Sequence, residues 1–312
     1  MSSIICTLYE KRYDRGVGAL INSLVAAGFT GTVHVGYRGA LPYWIGQCAP
    51  LPAAAPGVST YRVGPLTVVF TALATANHFA NYKPQFMAQL LDAAAGTGVE
   101  RIFYFDPDIV LKGEWTFFEE WARDHVALCA DVNAECGAHH PLRLAWRRYF
   151  GAHGMTWNAT LAVYVNSGFL GVPVACRPFL DEWMRVQELM GPAMGGLGNF
   201  IPKTRTFLFH QGDQDALNAT MDQTRFPLSI AGQDAMDFAP GGYLMSHAQG
   251  RPKPWDKPFI RHALGGQPPT AADKQYWRHV VAPLALYSAP ACRWRRFCLS
   301  VGGLLGRFYR RA

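Results

Sequence analysis

The sequence predicts an α/β protein built on an open, mainly parallel twisted sheet with helices on both faces. Three observations carry that expectation. Ser3 to Leu8, Gly16 to Ala27 and Thr32 to Tyr37 read in turn as strand, helix and strand, and two strands joined through one helix run parallel. Ile102 to Phe105 is a continuous run of β-branched and aromatic residues, the pattern of a strand covered on both faces. Half of the 312 residues are apolar, enough to fill the core of one large α/β domain or two small ones.

Taken in order, the first helix places Val17, Leu20, Ile21, Leu24 and Val25 on one face and ends at Gly28. Residues 39 to 65 hold Pro42, Pro50, Pro52, Pro56 and Pro65 and read as connection. Leu66 to Phe70 is the third strand and Pro84 to Ala95 a helix, followed by the strand that ends at Asp106. Helix Glu114 to Arg123 and strand Val126 to Ala130 extend the sheet. Residues 131 to 158 show little regular pattern but many Arg, His, Gly and aromatic residues; they read as a lid or acceptor surface that includes His139, His140 and His153. Leu161 to Val165 is another strand, running into Asn166-Ser167-Gly168. Pro178 to Met190 reads as a helix, Gly191 to Thr206 as a Gly-rich loop and Asp213 to Met221 as a short helix. The last third holds short strands near Phe226 to Ile230 and Tyr243 to Ser246, a Pro-rich loop to Pro258 and a helix from Ala271 to Leu286. With no internal repeat and no clear linker, one unit of unequal lobes is expected: residues 1–130, residues 131–289, then a tail at 290–312.

Seven scattered cysteines without a Cys-x-x-Cys pair argue against a disulfide framework or a zinc site. The net charge of +7 would suit nucleic acid, but no acidic residue follows Asp273 while Lys274, Arg278, Arg293, Arg295, Arg296, Arg307, Arg310 and Arg311 do. The basicity therefore belongs to the tail, and no nucleic-acid partner is expected. The start shows no signal-peptide pattern, and no apolar run approaches the roughly 20 residues that span a bilayer. A reducing cytoplasm is the expected compartment.

Chemistry is expected where the buried strand stops. Pro107 cannot donate to a sheet ladder, so pairing should end at Asp106. Asp106 and Asp108 then lie two apart at the carboxyl end of a strand, where open α/β sheets bind ligands. Carboxylates so close repel each other unless something positive lies between them, and a divalent cation that bridges to phosphate oxygens answers the problem. The plainer alternative is an Asp-Pro-Asp turn that caps the strand.

Three further motifs follow in order: Val-Asn-Ser-Gly-Phe-Leu-Gly at 165 to 171, His-Gln-Gly-Asp-Gln-Asp-Ala-Leu-Asn at 210 to 218, and His247-x-x-Gly250-x-x-Lys253-Pro254-Trp255. Together with Phe105-Asp106-Pro107-Asp108 the set resembles family 8 glycosyltransferases, the group that contains glycogenin and lipopolysaccharide galactosyl- and glucosyltransferases. The resemblance covers roughly residues 3 to 258. It implies a GT-A-type fold and metal-dependent, retaining transfer of a hexose from a nucleotide-diphospho-sugar, a UDP-sugar by analogy, to a surface-glycan or lipid-linked acceptor.

The resemblance also assigns roles. Asp106, Asp108 and His247 become ligands of Mn2+ or Mg2+, and the two-carboxylate, one-imidazole set suits a Mn2+-like ion. Lys253, in the loop with Gly250, offsets charge on the departing diphosphate. Tyr13 stacks on the base, Thr7 and Leu8 line it, and Lys83 lies near the diphosphate. Asn166, Asp213 and Gln214 address the donor sugar, with Asp213 and Gln214 at the reacting centre. An amide is a poor nucleophile, so Gln214 fits stabilising an oxocarbenium-like state better than forming a covalent intermediate.

Several of these residues have a structural alternative. Asn166-Ser167-Gly168 could be a turn, Asp213 and Asp215 could complement a helix dipole, His247 could be an interior histidine, Tyr13 could simply pack, and Lys83 could be solvated. Two other functions compete. A sugar-1-phosphate nucleotidyltransferase would need a Gly-rich loop after the first strand, and Glu10 to Gly16 holds a single glycine. A non-catalytic nucleotide-sugar or membrane-surface binding protein would keep every binding residue.

In the tail, Trp294, Phe297, Cys298, Val301, Leu304, Leu305 and Phe308 recur at three- and four-residue steps, with arginines on the other faces. An amphipathic basic helix of this kind binds anionic membrane surfaces, which would make the protein peripheral at the inner membrane face. Docking on the protein's own core is the alternative, and Gly302, Gly303 and Gly306 weaken the helix in either case. Lying beyond every catalytic motif, the tail is expected to be dispensable for the donor site.

Overall fold

In the computed structural model, which describes residues 2–52, 55–157, 161–201 and 208–308, the chain opens with β1 (Ser2–Glu10), α1 (Asp14–Ala26) and β2 (Thr32–Arg38). β1 and β2 pair in parallel, from Ile4 opposite Thr32 to Glu10 opposite Arg38. Residues 39 to 65 are more than connection: β3 (Ala49–Leu51) and β4 (Val58–Val63) form an antiparallel edge with β5 (Leu66–Ala72). The prolines disguise this edge, because Pro50 lies in an outermost strand where a missing N–H need not break the ladder.

α2 (Phe79–Ala93) begins ahead of Pro84, which lies inside it. His78 caps the helix, accepting a hydrogen bond from Ala80 N at 3.2 Å. Lys83 is therefore a helical residue rather than one that precedes the helix. β6 (Val99–Phe105) is buried from Arg101 to Phe105, as its apolar run requires. β7 (Ile109–Leu111) and α3 (Trp115–Trp121) follow, then β8 (Val126–Glu135), which continues past Ala130. With α4 (Pro141–Gly151) it gives residues 131–135 and 141–151 regular structure where little was expected; residue 158 lies outside the described residues. The fully buried Arg143 anchors α4 through an ion pair with Asp222 and a bond from Nε to Cys136 O at 2.6 Å.

β9 (Val163–Pro173) runs unbroken through Asn166-Ser167-Gly168, so these residues are strand and not turn. α5 (Pro178–Met194), α6 (Gly212–Gln223), β10 (Leu228–Ala231) and β11 (Met245–His247) follow. α5 takes up the first residues of the expected Gly-rich loop, and residues 202 to 207 of that loop lie outside the described residues. The large sheet has nine strands in the order β10-β8-β9-β6-β1-β2-β5-β4-β3, with β4 and β9 running against the rest. Successive residues of β1 serve opposite faces of this sheet. Ile5 and Tyr9 enter one core with α1 and the C-terminal segment, while Ile4, Cys6 and Leu8 enter the other with α2, α5 and α6.

The C-terminal third departs most from expectation. α7 (Phe259–Leu264) was not foreseen, and the long helix expected to reach Leu286 is only α8 (Ala271–Tyr276), opened by a Thr270–Asp273 capping box. Pro283 cannot continue a helix. The chain after Tyr276 is instead tied to α1 by the buried Asn22. Its Nδ2 donates to His279 O and Leu284 O, both at 2.8 Å, and its Oδ1 accepts from Leu284 N at 2.8 Å. α9 (Ala289–Leu305) packs on α7 and buries Cys292, Cys298, Leu299 and Gly302, while Trp294, Phe297 and Leu304 face out. A helix thus forms in the tail as expected and docks by one face; Arg310 and Arg311 lie outside the described residues. Among the described residues no helix is long and apolar enough to cross a membrane.

Candidate active site

Two short backbone ties assemble the site. β11 pairs antiparallel with β7, setting His247 opposite Ile109, and Ala248 N donates to Asp108 O at 3.0 Å. Asp106 N donates to Gly168 O at 2.7 Å, fastening the end of β6 to the middle of β9. His247 Nε2 consequently lies 3.4 Å from Asp108 Oδ1 and 3.9 Å from Asp106 Oδ2, and the three side chains offer ligand atoms all within 4.8 Å of one another. A hard divalent cation with ligands at roughly 2.0–2.6 Å can bridge donor atoms separated by about 3–4 Å, so the set fits such an ion.

Gly168 is what permits this approach. A Cβ at that position would lie 2.7 Å from His247 Cε1 and 3.0 Å from Asp106 Oδ2, inside van der Waals contact with two of the three groups. Gly250, in the loop after His247, has φ 75°, a left-handed conformation that favours glycine.

Charges around the triad are arranged in pairs. Lys83 Nζ is buried, 3.1 Å from Asp106 Oδ1 and 2.9 Å from Asp213 Oδ2, and it donates to Ser167 O at 3.0 Å. Burial alone would lower the Lys83 pKa, but Asp106 and Asp213 outweigh it and raise it. Lys253 Nζ pairs with Asp108 and donates to Ala248 O at 2.7 Å. Burial would raise the Asp108 pKa, yet Lys253 and His247 hold it well below the usual carboxylate range. Tyr104 donates from its hydroxyl to Asp106 Oδ1 at 2.9 Å. The carboxylates of Asp106, Asp108 and Asp213 thus meet the two ammonium groups of Lys83 and Lys253, and the remaining negative charge suits a cation.

These groups line a cleft of about 800 Å³ at the carboxyl ends of the parallel strands. The structure brings Leu8, Tyr13, Lys83, Asn166, Asp213, Gln214, Gly250 and Lys253 to its walls with the three metal candidates. Thr7 is fully buried and does not line the cleft. The last three residues of β1, Leu8, Tyr9 and Glu10, line the cleft whichever face they serve, and Thr7 lies one residue further from the strand's carboxyl end. Tyr13 meets Trp255 edge-on at 5.4 Å between ring centroids, and Lys253 Nζ sits 5.7 Å from its ring centre. Lys83 is enclosed by carboxylates rather than solvated.

Gln214 is oriented by its oxygen, which accepts from Asn166 Nδ2 at 3.1 Å and from Ser167 N at 3.2 Å. Asp213 Oδ2 accepts from Ser167 Oγ at 2.6 Å as well as from Lys83. Burial would raise the Asp213 pKa, but Lys83 and the Ser167 hydroxyl lower it, leaving an anionic acceptor at the cleft wall.

Sequence reasoning missed Asp131 and Gln249. Asp131 Oδ2 accepts from Asn166 Nδ2 at 2.8 Å and Gln249 Nε2 at 3.2 Å, linking β8, β9 and the loop after β11. A signal for Asp131 existed, since a lone carboxylate follows the apolar run Val126 to Ala130 much as Asp106 follows Ile102 to Phe105.

Comparison with known proteins bears on the fold. The fold is that of GT-A glycosyltransferases, α/β with a large, mostly parallel sheet. The chain is similar to the galactosyltransferase LgtC solved with donor and acceptor sugar analogues, at a TM-score of 0.52 and 14% identity, over 94% of this chain and 99% of that one. It is similar also to the apo structure of the bifunctional glycosyltransferase WbbM, with a TM-score of 0.52 and 14% identity, over 94% of this chain and 51% of that one. The chain therefore spans about half the length of WbbM. No family model matches the sequence, and no curated protein matches it.

Asp215 yields a test of the electrostatics. It is 1% exposed and accepts from the Tyr164 hydroxyl at 2.6 Å and from His210 N and Gln211 N at 2.6 and 2.8 Å. Burial raises its pKa to about 6 in spite of those donors. The folded chain therefore takes up this proton more readily than the unfolded one, and the stability the group contributes at low pH is lost as pH rises through about 6. Asp215→Asn removes the buried charge, so its stability relative to the parent should improve between pH 5 and pH 8, by about 1 kcal/mol. Thermal melts at both pH values measure this; a stability difference that does not change with pH would show that Asp215 titrates normally.

Proposed function

We propose that the protein is a metal-dependent glycosyltransferase that moves a hexose from a nucleotide-diphospho-sugar, a UDP-sugar by analogy, to a surface-glycan or lipid-linked acceptor with retention of configuration. The observation that carries this reading is the meeting of Asp106, Asp108 and His247 beside Lys253 in the cleft of a glycosyltransferase fold. The LgtC structure holds both a donor and an acceptor sugar analogue, which supports a cleft that seats both partners. The donor set suits Mn2+, with Mg2+ as the other candidate. When bound, such an ion neutralises diphosphate charge and so stabilises the leaving group.

The side chains have separable tasks. Lys253 supplies a second positive charge toward the leaving diphosphate. Asp213, kept anionic by Lys83, accepts hydrogen bonds from sugar hydroxyls. As the bond from the sugar to the phosphate oxygen breaks, the acceptor oxygen bonds to the same face of the anomeric carbon, and its proton passes to the departing diphosphate. Gln214 stabilises the positive charge that develops on the sugar. Its oxygen already accepts two hydrogen bonds, which weakens it further as a nucleophile and favours an electrostatic role over a covalent one.

A screen of nucleotide sugars for Mn2+-dependent hydrolysis identifies the donor without knowledge of the acceptor. With that donor, Gln214→Ala should lower kcat by about 10- to 100-fold and leave the donor KM within about threefold, because the amide matters most as charge develops. Asp213→Asn should change both constants. Wild-type turnover by Gln214→Ala would remove that residue from the reacting centre.

The exposed face of α9 supports peripheral attachment at an anionic membrane, on the inner face if the acceptor is lipid-linked. Trp294, Phe297, Leu304 and Phe308 are 61%, 55%, 54% and 81% exposed, and Arg293 and Arg307 are exposed beside them. Apolar insertion and basic attraction act together at such a surface. Trp294→Ala with Phe297→Ala should sediment with vesicles containing anionic lipid at least about tenfold less well than wild type while hydrolysing donor at an unchanged rate. Equal sedimentation would rule out this face as the anchor.

A further inference from the structure

We infer that Arg295, on the C-terminal helix α9, is a positioning residue for Lys253, and that the tail helix is therefore a structural part of the donor-diphosphate site. The inference rests on the donor reading above for Lys253 and on its own set of contacts for Arg295.

Lys253 lies between two anchors. On one side is His247, fixed in β11 by its pairing with β7. On the other is the segment Pro254 to Lys257, held from several directions. Pro254 O accepts from Trp277 Nε1 at 3.1 Å. Trp255 is 2% exposed and packs between Tyr13 and Tyr276, each with ring centroids 5.4 Å away. Asp256 pairs with Arg12 at 2.6 Å and Arg15 at 3.8 Å, and Lys257 Nζ with Asp273 at 2.7 Å.

Most of these contacts grip side chains and leave the backbone direction open. Arg295 grips the backbone. Its Nη1 donates to Lys257 O at 2.8 Å and its Nη2 to Trp255 O at 3.4 Å, while its guanidinium lies 5.7 Å from the centre of the Trp277 ring. A planar fork that bonds two carbonyls of one segment fixes both its position and its direction, which a single ammonium cannot do. The segment so oriented leads directly back to Lys253, whose ammonium must reach Asp108 across the cleft.

The tail is consequently not a detachable appendage, contrary to what its place beyond the catalytic motifs suggests. α9 uses one face to hold the donor loop and leaves the other to solvent. Removing the helix would release the loop together with any surface contact, so point variants are needed to separate the two roles.

The test compares full-length wild type with Arg295→Ala, Arg295→Lys, Lys253→Ala and the Arg295→Ala, Lys253→Ala double variant, and with Ser300→Ala as an exposed control on the same helix. Hydrogen–deuterium exchange at Trp255, Asp256 and Lys257 should be about fivefold faster in Arg295→Ala and unchanged in Ser300→Ala. Affinity for uridine diphosphate with Mn2+ should fall about fivefold in Arg295→Ala, the size of one lost hydrogen bond, while affinity for uridine stays constant. Arg295→Lys should recover part of the loss, and Arg295→Ala should have no further effect once Lys253 is alanine. Unchanged exchange in Arg295→Ala, or an equal loss for uridine and uridine diphosphate, would overturn the inference. If the wild-type protein binds uridine diphosphate no better than uridine, the donor reading fails instead, and the exchange measurement still decides whether Arg295 holds the segment.

Discussion

Repulsion between Asp106 and Asp108 is the constraint that the rest of this structure answers. Two carboxylates at the end of a buried strand are stable as anions only with compensating charge close by. The fold supplies it from distant parts of the chain. α2 brings Lys83 against Asp106 and Asp213, and the loop after β11 brings Lys253 against Asp108. The β7–β11 pair adds the His247 imidazole beside both carboxylates. Neither ammonium removes the negative surplus at the triad, and a divalent ion answers what remains. Removing one partner from a buried pair of this kind is costly because it strands the other charge.

Much of this was legible in the sequence wherever a local pattern mirrors a local cause. β6 shows itself because burial on both faces demands an uninterrupted apolar run, and its end shows itself because Pro107 has no N–H. The metal candidates were legible through motif order, not periodicity. Elements that depend on tertiary context were not. The β3–β4 edge hid behind prolines that an outer strand tolerates, and α2 hid its start behind Pro84. The unbroken course of β9 through Asn166-Ser167-Gly168 depends on pairing with β6 and β8 on either side. Thr7 and Leu8 differ by one residue, and the cleft takes only the last three residues of β1, Leu8 to Glu10, a boundary that the apolar pattern does not mark. Asp131 follows the apolar run Val126 to Ala130 but lacks the second carboxylate that makes Asp106 and Asp108 conspicuous.

The tail docks on the core by one face, one of the two readings the sequence posed, and leaves apolar residues exposed on another. Its apolar residues do not form one stripe with one destination. Cys292, Cys298, Leu299 and Gly302 bury against the protein, with Gly302 so close to Phe259 O that a Cβ would lie 3.1 Å away. Trp294, Phe297, Leu304 and Phe308 face outward. Arginines divide in the same way, since Arg295 and Arg296 bond backbone carbonyls of the core while Arg293 and Arg307 lie in solvent. A helix of this design places whatever its outer face contacts one side chain away from the loop that carries Lys253.

The central claim is that Asp106, Asp108 and His247 hold one divalent ion in the presence of a nucleoside diphosphate. Titration of Mn2+ into the protein with uridine diphosphate, followed by electron paramagnetic resonance of the free ion, measures it directly. The account predicts one bound ion per chain and an affinity at least about tenfold weaker in both His247→Ala and Asp106→Asn. Equal Mn2+ binding by wild type and His247→Ala, or no binding by wild type, would contradict it.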